Sequence, residues 1–158
     1  MFPSLLPFFR WCDASWLSVE IRSSTWQFAI LEMIHLLGLT VLLGTLWVLD
    51  MRLLGFGMRK QAPSELAKDL SRWMWSGLAV MLSSGLLLFF GEPMKLFGSP
   101  SFHVKMLLLF LAIVFQLTLF RRVSTDKAAS AMIDRFVACV SLILWFGVGL
   151  AGRGIGFL

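Results

Sequence analysis

Two histidines, His35 and His103, are the only imidazoles in the 158-residue chain. The first stands in WQFAILEMIHLLGLTVLLGTLWVLDMRLLG, residues 26–55, which is almost wholly apolar. At about 1.5 Å of rise per residue this stretch is long enough to cross hydrocarbon. An imidazole or carboxylate at that depth is costly unless it faces a bundle interior or a cavity, so Glu32 and His35 mark a candidate site. Glu32, His35, Gly38, Leu42 and Thr45 recur at three- and four-residue steps and share one helical face. Gly38, one turn beyond His35, is expected to leave room for something flat beside the ring. A b-type haem, which needs an axial histidine and space for its macrocycle, matches that chemistry. The alternative is a structural imidazole, hydrogen-bonded to Glu32 or to a neighbouring helix.

The second histidine is the candidate partner ligand. Counted from Asp50 and Arg121, the far ends of their apolar runs, His35 and His103 reach depths of about 22 and 27 Å, within range of one iron. Direction opposes the pairing, because Lys105, Leu109, Ala112 and Gln116 make the most polar stripe of their helix and His103 points about 160° away from Lys105. One of the two must look away from the core unless the helix starts after His103; on that condition the expected cofactor contacts are His35, His103, Gly38, Lys105 and Arg153, with His35 and His103 as the iron ligands. Arg153 and Lys95 fall at the same surface, where each suits a propionate carboxylate or, alternatively, lipid headgroups. The Glu-x-x-His spacing of Glu32 and His35 also belongs to carboxylate-bridged di-metal bundles. Those need two copies, and here there is one. No P-loop, dinucleotide fingerprint, nucleophile elbow or zinc-protease motif occurs.

These residues require elements to hold them, and composition sets which. The chain is 58% hydrophobic and 15% charged, far from the charge content of a soluble domain. It reads as an all-α polytopic membrane protein, an antiparallel four-helix transmembrane bundle with a short N-terminal interfacial helix. Residues 1–25 form the interfacial segment and 26–158 the transmembrane domain, with spans at about 26–50, 73–90, 102–120 and 136–152. Residues 14–23, ASWLSVEIRS, are expected as an amphipathic helix among headgroups, with Trp11, Trp16 and Trp26 as interfacial aromatics. The polar run from Asp50 to Arg72 reads as a connection with a short helix at SELAKDLSRW. GEPMKLFGSPS reads as a compact loop, and VSTDKAASAMIDR as a second polar linker. Gly152, Gly154 and Gly156 should weaken or end the last helix.

The formal charge of +5 does not point to nucleic acid, because Lys and Arg gather at the ends of apolar runs. Nine of the 14 basic residues, Arg52, Arg59, Lys60, Lys68, Arg72, Arg121, Arg122, Lys127 and Arg135, fall on the side of the first and third connections. The positive-inside rule then places both termini on the periplasmic side of a bacterial inner membrane. The N-terminus, with two prolines and no basic region, does not read as a cleaved signal peptide. Cys12 and Cys139 make neither a disulfide framework nor a thiolate metal motif.

The segments IHLLGLTVLLGTLWVLDMRLLG (34–55), SGLLLFFGEPMKLFGSPSFHVKMLLL (84–109) and LILWFGVGLAGRGIGF (142–157) resemble a family of uncharacterised bacterial four-span membrane proteins, over most of the chain from Ser15 onward. More distantly, an early-helix histidine with a basic-leucine exit, joined to a later His-x-Lys-Met-Leu-Leu-Leu start, is similar to HemJ-type protoporphyrinogen oxidases. Those are haem-binding four-helix membrane proteins, and the matching positions are His35, Arg52, His103 and Lys105. Copper-resistance D-type membrane proteins share the pattern more weakly.

Three functions follow as expectations. The leading one is a b-type cytochrome-like subunit that binds haem in the outer half of the bundle and passes electrons to or from quinone or other membrane or periplasmic redox subunits. The second is a cofactor-free subunit that anchors a larger homo- or hetero-oligomeric complex in the bilayer. The third, implied by the HemJ resemblance, is oxidation of a porphyrinogen. Copper export is weaker, because the nine methionines form no Met-x-x-Met ladder along one span.

Overall fold

The computed structural model describes residues 3–57, 61–125 and 131–156. Of the basic residues used for orientation, Arg59, Lys60 and Lys127 lie outside the described residues. After a single 3-10 turn come α1 (Leu6–Asp13), α2 (Trp16–Ser23), α3 (Thr25–Leu54), α4 (Pro63–Gly91), α5 (Pro93–Gly98), α6 (Pro100–Thr125) and α7 (Ala131–Gly154). Four of these helices are long and apolar enough to cross a membrane: Trp26–Leu54, Pro63–Gly91, Pro100–Leu119 and Met132–Gly154. The all-α, four-span architecture expected from composition is present.

Local signals set the boundaries. Ser24 caps α3 by accepting the Gln27 amide at 3.4 Å, and Gly55 ends it with φ +92°, the left-handed conformation that glycine adopts most cheaply. The Phe56 and Gly55 amides then close back on the carbonyls of Met51 and Arg52, a Schellman ending. Pro63 opens α4 at a position where its missing N–H costs nothing. Arg52 spans the intervening connection, donating from Nε and Nη2 to the Gln61 carbonyl at 3.0 and 2.8 Å.

Several expected boundaries move. SELAKDLSRW is not a separate helix but the first turns of α4, because no glycine or proline interrupts the chain between Ser64 and Gly91 in a way that ends it. GEPMKLFGSPS contains the short helix α5 rather than an open loop. The third helix continues past Arg121 and Arg122 to Thr125, whereas the fourth ends at Gly154, within the glycine run expected to stop it. Asp50 is not the start of a polar connection: it is inside α3 and 1% exposed.

The helices form an up-down-up-down bundle. Along α3 and α4 the close approaches run in opposite senses, Phe28 to Gly91, His35 to Gly85, Gly38 to Met81 and Leu42 to Gly77. Lys105 against Gly152 and Leu108 against Gly147 order α6 and α7 in the same antiparallel way. Asp50 with Ser141 and Trp47 with Phe146 join α3 to α7, while Met74 with Gln116 and Phe89 with Phe102 join α4 to α6.

The core has two apolar clusters stacked along the bundle axis. One contains Leu42, Leu46, Met74, Leu78, Met81, Ala112, Trp145 and Val148. The other, nearer the α3–α4 connection, contains Leu49, Leu53, Ala67, Leu119 and Ala138. At the opposite end α1, α2 and α5 pack over the helix ends, with Phe9 against Phe97 at 5.0 Å and against Phe89 at 5.4 Å. Large apolar side chains such as Leu37, Leu86, Leu107, Phe110, Ile143 and Leu150 cover the outside. So much contiguous exposed hydrocarbon is unsuited to water and suits lipid.

Candidate functional site: a histidine seated on a neighbouring helix

The His35 ring is half-buried at the α3–α4 contact. Its Nδ1 lies 3.1 Å from Ser84 Oγ, and the Ser84 hydroxyl already donates to the Val80 carbonyl at 2.6 Å. With that proton committed, Ser84 Oγ accepts from Nδ1–H, which leaves Nε2 as the imidazole nitrogen with a lone pair. Gly85 completes the seat: a Cβ there would stand 3.1 Å from His35 Cε1 and 3.4 Å from Nδ1. The sequence shows Ser84 and Gly85 as small residues permitting close approach, but their pairing with His35 becomes visible only when α4 is placed against α3.

Glu32 is exposed and is not the partner of His35. Of the two structural roles open to the histidine, the contact with a neighbouring helix is the one found. Gly38 is buried, and the space beside it belongs to α4. A Cβ on Gly38 would meet Met81 N and Val80 Cγ1 at 2.9 Å each, and one on Gly77 would meet Leu42 N at 2.8 Å. The room expected next to Gly38 for a flat group is thus filled by backbone, since a glycine lets the partner helix approach.

Lys105 turns inward. It is half-buried, its Nζ and Cε 3.4 Å from where a Gly152 Cβ would stand, and its charge acts electrostatically on His35. His103 is placed differently. Because α6 begins at Pro100, His103 is already helical and lies on another face from Lys105. Its Nδ1 is 2.9 Å from the Ser99 carbonyl and its ring meets Phe102 edge-on at 6.0 Å. The structure therefore brings His35 together with Ser84 and Gly85, Lys105 with Gly152, and His103 with Ser99 and Phe102. Arg153 is exposed near the end of α7, and Lys95 pairs with Glu92 at 2.9 Å. Among the described residues no three His, Cys, Asp or Glu side chains gather to hold a metal ion.

A second polar region lies further down the bundle. Ser141 Oγ donates to Asp50 Oδ2 at 2.8 Å, and Gln116 Nε2 reaches Met74 Sδ at 3.2 Å. Asp50 Oδ1, Gln116 Oε1 and Trp145 Nε1 are buried without a hydrogen-bond partner among the described residues. Sequence reasoning placed Gln116 on a polar interior stripe but missed Asp50. The available signal was its position one turn beyond Leu46 and just before Leu53, on the stripe that carries the core.

Residues 8–158 fit the model of a family of unknown function (DUF6644), so the chain belongs to that family. No curated protein and no solved structure matches it.

Proposed function

We propose that this multi-pass membrane protein is a b-type haem-binding subunit in which His35 supplies an axial nitrogen and the bundle supports one-electron transfer. The observation that carries the reading is the tautomer imposed on His35. A ring whose Nδ1–H is fixed by an oxygen, leaving Nε2 with its lone pair, is arranged as metal-ligating histidines are. The residues fit one ligand from α3; they do not fit a macrocycle slotted beside Gly38, where α4 stands.

In this reading Ser84 and Gly85 fix the imidazole, and Lys105 and Arg153 bring positive charge to the same end for propionate carboxylates. The apolar helices exclude water from the site. When bound, haem would supply a one-electron couple whose potential follows its ligands and its burial. The excess of basic residues at the α3–α4 and α6–α7 connections supports a bacterial inner-membrane location, with the His35 end and both termini periplasmic, within reach of quinone or a periplasmic redox subunit. The role of His103 is separate and is decided by its own substitution.

The Gly38–Gly77 contact favours a second reading, a cofactor-free anchoring subunit whose histidine only ties α3 to α4. Visible spectra of the detergent-purified protein, oxidised and dithionite-reduced, distinguish the two. The haem reading expects a Soret band and a sharp α-band that His35→Ala abolishes; a colourless protein from haem-replete cells leaves the anchoring subunit. Low-spin features retained in His103→Ala remove His103 as a ligand. Complementation of a protoporphyrinogen-oxidase deletion would indicate HemJ-like porphyrinogen oxidation instead of electron carriage.

A further inference from the structure

The two apolar clusters of the core are divided by a polar level to which three helices contribute. On α3, Asp50 stands between Leu46 of one cluster and Leu53 of the other; on α6, Gln116 stands between Ala112 and Leu119; on α7, Ser141 stands between Trp145 and Ala138. From α4, Met74 contacts Gln116. Asp50 is 1% exposed, and Gln116 and Trp145 are 2% exposed. Side chains of this kind are expensive inside a membrane bundle and are kept where they bind or transfer something.

Hydrogen-bond accounting says what. Ser141 satisfies one carboxylate oxygen of Asp50. Three buried atoms remain, the acceptors Asp50 Oδ1 and Gln116 Oε1 and the donor Trp145 Nε1–H. Each unmade bond costs about 1–3 kcal/mol, and an ionised carboxylate without a counter-charge costs more. No Lys or Arg supplies that counter-charge among the described residues. Arg52, two positions away, is committed to the Gln61 carbonyl, and Lys68, Arg72 and Arg135 are exposed. The faces that meet this level from α4, α6 and α7 carry Met74, Gln116, Ser141 and Trp145, and none of these titrates near neutrality. A bare cation would suit either oxygen but not the indole N–H. Water can satisfy each of these atoms, donating to the oxygens and accepting from the indole.

We infer that this level is a proton-binding site: Asp50, held by Ser141 at one oxygen and unpartnered at the other, takes up a proton from hydronium and returns it to water. Carboxylate plus hydronium gives carboxylic acid plus water, so no other reactant is needed. The inference is independent of haem and of His35.

Infrared difference spectroscopy of the full-length protein in lipid nanodiscs tests it, with protons as the probe and buffers of either sodium or choline. The expected result is a carboxylic-acid carbonyl band in the wild type that shifts in D2O, disappears as the buffer is made alkaline, and is missing in Asp50→Asn. Ser141→Ala should move the titration midpoint about tenfold in proton concentration toward alkaline buffer, because the hydroxyl stabilises the ionised form. Should Asp50→Asn fail to fold, Ser141→Ala must still move that band. The inference is overturned by an acid–alkaline difference identical in wild type and Asp50→Asn, by a band unmoved in Ser141→Ala, or by a midpoint that depends on sodium, which would mark a cation site.

Discussion

The two polar regions of the bundle solve the same problem in opposite ways. At the end covered by α1, α2 and α5, the half-buried His35 has Ser84 for its Nδ1, and Ser84 has the Val80 carbonyl for its own proton. At the Asp50 level, deeper in protein, one hydrogen bond to Ser141 serves a carboxylate while three other buried atoms have none. The first region costs little in free energy and presents one unshared nitrogen. The second is costly as it stands and is the stronger mark of something bound, because an unsatisfied buried group is tolerated only where a ligand or water completes it. The residue that draws the eye in a sequence is therefore not the one under the greatest physical demand.

Crossing the two sites gives the largest effect. His35→Ala should remove the visible haem spectrum entirely while leaving the Asp50 carbonyl band in place, and Asp50→Asn should do the reverse. Loss of both signals in either variant would make them one site and end the distinction. Next come the glycines that let the helices meet. Gly38→Ala and Gly77→Ala would each force a methyl to within 2.8–2.9 Å of backbone nitrogen on the facing helix, at a cost of about 1–3 kcal/mol in a detergent-unfolding titration. Gly44→Ala, with nothing within 4 Å of the new methyl, should be close to neutral. Equal losses at all three would remove the α3–α4 contact as the reason for the glycines.

Ser141→Ala alone should destabilise the protein by about 1–3 kcal/mol, whereas Asp50→Leu combined with Ser141→Ala should recover most of that loss, since removing both polar partners is far milder than stranding one. If the double variant unfolds more easily than the single, the layer stabilises the fold and the contrast with the His35 end weakens. The smallest change is at Ser84. Ser84→Ala removes the hydrogen bond to His35 together with the hydroxyl's own bond to the Val80 carbonyl, about 1 kcal/mol of stability, and in haem titration should weaken binding about 10–100-fold without abolishing the band. An unaltered affinity would mean that the hydroxyl does not set the tautomer.

The spans were legible because runs such as 26–54 and 102–119 leave a chain few alternatives in a bilayer. The joins were not. A polar stretch after a span reads as an exit, yet Ser64 to Trp73 simply continues a helix beyond the apolar zone. Asp50 misled for the same reason: an acidic residue ending a run of leucines looks like the water boundary until Ser141 on α7 is brought to it. Gly38 reads as a gap because one helix shows only that a side chain is missing, while Val80 and Met81 on α4 fill the place. His35 was legible as an interior polar group, but its Ser84–Gly85 seat depended on a register that no single helix records.

The long reach of these contacts also sets an order of assembly. His35 and Ser84 are 49 residues apart and sit in one hairpin, which Arg52 clasps through the Gln61 carbonyl, so the imidazole seat can be completed as soon as α4 leaves the ribosome. Asp50 and Ser141 are separated by 91 residues. During synthesis the nascent first hairpin must carry its carboxylic acid among lipids or insertion factors until the last helix arrives, and a chain stalled before α7 would present that acid to the quality-control machinery.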